Sequence, residues 1–128
     1  MHIFLATTRW FMDRAAIFAG IAAAVVLALG LAPDSGPSAD VDEYAHAGAF
    51  FVIAFLFSAA VPKYPWLGMS AAFAMGAFIE LVQMAVPGRW GSVEDMTANL
   101  VGVIAGGCFF YAFARLIALY KSNDNAAL

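Results

Sequence analysis

Four stretches of this chain, residues 15–32, 43–61, 66–86 and 93–119, are apolar almost without interruption. A spanning helix needs roughly 20 mainly apolar residues, with a range of about 17–25. Each stretch is long enough, and the connections between them are too short to hold a water-soluble domain. The expected fold is therefore all-α: an integral membrane four-helix bundle, a single domain over residues 1–128. Composition agrees, because 64% of the chain is hydrophobic and 12% charged, against about 45–50% and 25% in soluble domains. A net charge of −3, dispersed along the sequence, gives no reason to expect a nucleic-acid partner. The single cysteine, Cys108, excludes a disulfide or a cysteine metal site within one monomer. It is expected to pack as a small residue beside Gly106 and Gly107.

Arg9 and Arg14 precede the first apolar run, as basic residues do in a secretory signal. The run exceeds the 7–15 residues of a signal's apolar core, and three more follow it, so it reads as a retained first helix. Lys and Arg collect on the cytoplasmic side of membrane proteins. With the N-terminus inside, the inner side holds Arg9, Arg14, Lys63, Arg115 and Lys121, and the outer side only Arg89. This split predicts cytoplasmic N- and C-termini in a bacterial inner membrane. Trp10, Tyr64, Trp66 and Tyr120 then mark the inner rim, and Tyr44 and Trp90 the outer.

That topology brings the polar residues of three helices to one depth. Asp42 and His46 are four apart on helix 2, so they share a face. Glu80 and Gln83 share a face of helix 3, and Gly76 continues their stripe inward. Glu80 lies seven residues before Pro87, on the order of 10 Å below the rim at about 1.5 Å per residue. On helix 4, Asp95, Asn99, Gly102 and Gly106 form one stripe, and Arg89 sits in the preceding turn.

Several of these residues also have structural readings. Ser92-Val93-Glu94-Asp95 fits a capping box, and Asp42 and Glu43 are acids in a first turn, where Asp40 offers an N-cap. His46 fits a hydrogen-bonded packing role, and Asn99 a bridge between helices. Gly102 and Gly106 are small-xxx-small, the pattern of close helix approach, and Gly76 serves packing too. Glu80 differs, because it has no cap to make and no short route to water. An acid inside a span costs about 2.5–3.5 kcal/mol on insertion scales and normally turns inward to pair or stay protonated. Arg89, always charged and able to grip an oxyanion with two hydrogen bonds, is the natural rim partner.

Together these residues form a recognisable string: Glu80-x-x-Gln83, Pro87-x-Arg89-x-x-Ser92-x-x-Asp95-x-x-x-Asn99-x-x-Gly102-x-x-x-Gly106. It resembles the signature of the VanZ-like family of small bacterial membrane proteins, and Asp42-x-x-x-His46 matches that family's "DKxxH" stretch. The resemblance covers roughly residues 40–107. Two positions depart from it: Glu43 stands where the family has lysine, and Ala47 where an aromatic often follows the histidine. Glu43 removes a basic group from the outer rim and weakens any phosphate-holding role for that position. The resemblance implies a family whose founding member is associated with low-level resistance to teicoplanin, a glycopeptide antibiotic, and most of whose members have no assigned activity.

Three functions compete. In the first, the cluster binds or modifies an anionic envelope lipid or lipid-linked intermediate. Arg89, Gln83, Asn99 and Asp42 would hold it, and Glu80, His46 and Asp95 would be candidate acid–base groups. No nucleophile motif, phosphate loop or metal-ligand spacing accompanies them, so no cofactor and no metal are expected; a histidine with two carboxylates is the one combination that would suit a metal. In the second, the cluster only locks helices 2, 3 and 4 in a structural or accessory subunit. The third, a proton-linked transporter or channel, is disfavoured because the inner halves of the helices carry almost nothing polar, unless a homo-oligomer builds the path.

Overall fold

A computed structural model of the protein describes residues 2–31, 39–85 and 92–126, and the side chains of 7–31, 43–85 and 92–123. The described residues form four helices: α1 (His2–Gly30), α2 (Ala39–Ala60), α3 (Pro65–Met84) and α4 (Val93–Ala126). They pack in an up-down-up-down order. α2 is the central element, touching the other three and pairing most extensively with α4.

Each helix contains a segment long and apolar enough to cross a membrane: Thr7–Gly30, Glu43–Ala60, Pro65–Met84 and Val93–Asn123. The helices extend beyond the hydropathy limits. α1 starts at His2 rather than near Ala15, α2 at Ala39 ahead of Asp40, and α4 runs past Leu119 to Ala126. At about 1.5 Å per residue, the 34 residues of α4 reach roughly 50 Å, well beyond a hydrocarbon core of about 30 Å. Hydropathy marks where a helix is greasy, not where it stops.

The solvent these helices are built for is lipid. Ile17, Ile21, Val25 and Leu29 line one side of α1 and are each more than half exposed. Leu81, Phe78, Val101 and Phe109 face outward on α3 and α4 in the same way. Continuous apolar cover of this kind would aggregate in water and is what a bilayer requires. The protein is a multi-pass membrane protein.

Two apolar layers fill the interior. Phe50, Ile53, Ala54, Ala72, Ile79 and Val103 form one. Ala15, Ala59 and Phe110 form the other, with Phe11 and Phe55 against them. Phe55 is the hub of that second layer, its ring centroid 5.6–6.1 Å from those of Phe11, Phe109, Phe110 and Phe113. At this end the Tyr64 backbone N–H donates to the Val61 carbonyl across the α2–α3 turn (2.9 Å), Pro65 opens α3, and the buried Ser58 hydroxyl donates to the Pro65 carbonyl at 3.1 Å.

Glycines set the closest approach between helices. A Cβ on Gly102 would collide with the Ala47 carbonyl, and one on Gly106 with the Phe51 carbonyl. The small-xxx-small stripe of α4 therefore lies directly on the α2 backbone. Gly107 packs on Met69 instead. Cys108, expected to pack beside these glycines, is exposed: each residue turns a helix by about 100°, which carries position 108 out of the interface.

Candidate functional site

At the end of the bundle opposite the Phe55 layer, the polar residues of α2, α3 and α4 converge. Glu80 is 3% exposed and Asn99 0%, while His46 and Asp95 are half-buried. His46 Nδ1–H donates to Asn99 Oδ1 at 3.0 Å, which joins α2 to α4. The same nitrogen lies 3.9 Å from Glu80 Oε1, which brings in α3. His46, Glu80 and Asp95 each offer a ligand atom, and the three atoms lie within 4.8 Å of one another.

The start of α4 explains why Asp95 takes part. Ser92 is its N-cap, with Oγ accepting the Asp95 backbone N–H at 3.2 Å, the first half of a capping box. In the full box the acid three residues on reaches back to the cap's own N–H. Here Ser92 N–H donates instead to Glu80 Oε2, at 3.3 Å. Glu80 therefore does have a cap to make, contrary to the sequence expectation, and it makes it across the turn on another helix. The Asp95 carboxylate is left beside His46 and Glu80 rather than closing its own box. Ser92 Oγ also donates to the exposed Glu94, at 2.9 Å.

Gly76 makes room for the cluster. Built onto it, a Cβ would lie 3.1 Å from Asn99 Nδ2 and 3.1 Å from the Phe50 ring. The Asn99 amide thus fills a notch in α3, one turn from Glu80. Its Nδ2 is buried and has no hydrogen-bond partner among the described residues.

Gln83 is placed differently from its stripe neighbours. Its Nε2 donates to the Gly30 carbonyl at 2.7 Å, so it binds the C-terminus of α1, where helix carbonyls lack partners. Gly30 packs there against Ile79, whose Cγ2 would be 3.0 Å from an added Cβ. Gln83→Leu should speed hydrogen–deuterium exchange in the last turn of α1 and cost about 1 kcal/mol in thermal unfolding. Equal exchange in both proteins would mean that the Gly30 contact does not hold α1. The Asp42 side chain and Arg89 lie outside the described residues.

Sequence reasoning missed the cross-helix cap of Ser92 on Glu80 and the docking of α1 through Gly30. The capping-box pattern was the available signal for the first, but a motif read along one helix assigns its partner to that same helix. Nothing in the sequence marks Gly30 as a partner for Gln83.

The fold and the cluster define a small four-helix membrane protein with buried acid, amide and imidazole groups at one end. The family model described as VanZ/LLP1 matches residues 32–116, and the chain belongs to that family. The match takes in α2 and α3 and most of α4, including every described residue of the cluster. Comparison with curated proteins and with solved structures gives no match.

Proposed function

We propose that the cluster lines a pocket opening to the outer face of a bacterial cytoplasmic membrane, where it receives an anionic envelope lipid or lipid-linked intermediate. The observation that carries this reading is the convergence of His46, Glu80, Asp95 and Asn99 from three helices at one end of the bundle. Burying this many polar groups beside hydrocarbon is costly unless a partner or a task offsets it. Arg89, three residues before Ser92 in the sequence, is the group that would meet the negative head group; His46, Glu80 and Asp95 would orient its hydroxyls or exchange protons. The charge pattern supports the orientation, since all Lys and Arg other than Arg89 fall toward the opposite end, as expected where both termini are cytoplasmic.

A second reading has its own support. Glu80 caps α4, His46 bridges to Asn99, and Gln83 holds α1. Contacts of this kind suffice for a structural or accessory subunit whose polar cluster fixes one packing of the helices.

Native mass spectrometry of protein released from nanodiscs separates the two. The pocket reading expects a discrete lipid or lipid-linked species on the wild type and its loss from Arg89→Ala and Glu80→Ala that elute as folded protein. A wild type that retains no such species would favour the structural subunit.

A further inference from the structure

We propose that His46, Glu80 and Asp95 form a binding site for a divalent transition-metal cation, with zinc the expected occupant. The sequence offers the combination of one histidine and two carboxylates, but no metal is expected from it, because the ligands come from three different helices and no local spacing links them. In the fold they meet: one nitrogen and two carboxylate oxygens lie within 4.8 Å of one another.

The donor set fits the cation. Zinc accepts imidazole nitrogen and carboxylate oxygen at about 2.0–2.2 Å, and sites with three protein ligands keep a fourth position open. One imidazole with two carboxylates suits zinc better than magnesium, which favours oxygen ligands and keeps several waters. Tetrahedral ligands at such bond lengths stand about 3.3 Å apart. The His46 Nδ1 to Glu80 Oε1 separation is 3.9 Å, so small carboxylate rotations bring the donors to the metal. Nδ1 faces two oxygens here, the Asn99 carbonyl oxygen at 3.0 Å and Glu80 Oε1 at 3.9 Å. A proton on Nδ1 serves one of these oxygens. A cation in its place, with the neutral ring carrying its proton on Nε2, serves both.

An independent observation points to a ligand at the same spot. Asn99 is fully buried, its Oδ1 is directed at His46, and its Nδ2 has no acceptor among the described residues. A donor buried without an acceptor is costly. Water or an oxyanion in the open position of the metal would supply that acceptor. Outer-shell donors of this kind orient metal-bound groups in other sites.

This inference does not rest on the lipid reading, since a cation can be held whether or not a lipid enters. The test uses the full-length, tag-free protein in nanodiscs, stripped with a chelator and titrated with zinc chloride, with bound metal counted by elemental mass spectrometry. Cobalt(II) in place of zinc reports the coordination through its visible absorption. One zinc per chain is expected. Asp95→Asn should weaken binding at least about 100-fold, and Asn99→Ala about tenfold. Glu94→Gln, at an exposed neighbouring carboxylate, should bind as the wild type does. Asp95→Asn keeps the backbone N–H that Ser92 caps, so it decides the matter even if His46→Ala or Glu80→Gln misfolds. Absence of stoichiometric zinc from the wild type, or zinc held equally well by Asp95→Asn, would overturn the site.

Discussion

Gly106→Val is expected to prevent recovery of a folded bundle, or to lower its stability by at least about 3 kcal/mol. The atom that meets an added side chain is the carbonyl oxygen of Phe51, part of the α2 backbone, which cannot rotate away as a side chain would. α2 and α4 would have to separate along their whole contact, the most extensive in the molecule. Separation would also open the layer of Phe50, Ile53 and Val103. Gly20→Val is the matched control, because a Cβ there meets nothing within 4 Å, and it should change stability by less than about 0.5 kcal/mol. Thermal unfolding in detergent, followed by size-exclusion chromatography, reads both. A Gly106→Val protein as stable as Gly20→Val would show that α2 and α4 do not meet at this glycine.

The second large effect is expected from Asn99→Ala, at about 2 kcal/mol. Two losses combine. His46 loses the amide oxygen 3.0 Å away, and a cavity opens in the notch that Gly76 leaves between α3 and α4. Interhelical hydrogen bonds in bilayers average only about 0.6 kcal/mol, with a maximum near 1.7, so much of the cost must come from the cavity. A double-mutant cycle with His46→Ala separates the two parts. Coupling of about 0.6–1.7 kcal/mol is expected for a formed bond. Additive single losses would mean that the two side chains do not act as a pair.

The cluster also shows why Glu80 tolerates its depth. Its carboxylate meets the Ser92 N–H on one side and His46 on the other. The α4 helix begins where that N–H is satisfied, so the acid contributes to the fold whatever else it does. Glu80→Gln keeps an acceptor for Ser92 and is the milder change for separating folding from chemistry.

Periodicity made a good part of this legible. Runs of the right length select membrane helices because hydrocarbon demands about 20 apolar residues. Residues three and four apart share a face, which puts Glu80 with Gln83 and Asp95 with Asn99, Gly102 and Gly106 before any coordinates exist. The family match, over residues 32–116, spans all of these positions. Sequence therefore determined the class, the helix count and the stripes. It could not determine how each helix is rotated against its neighbours, because that is set by packing among residues distant in the chain. Only the tertiary structure decided that Glu80 caps α4 in place of Asp95, that Gln83 turns to Gly30 and that Cys108 faces outward. It alone brought one imidazole and two carboxylates from three helices within 4.8 Å, since helix spacing relates residues along one axis and says nothing of the distance between axes.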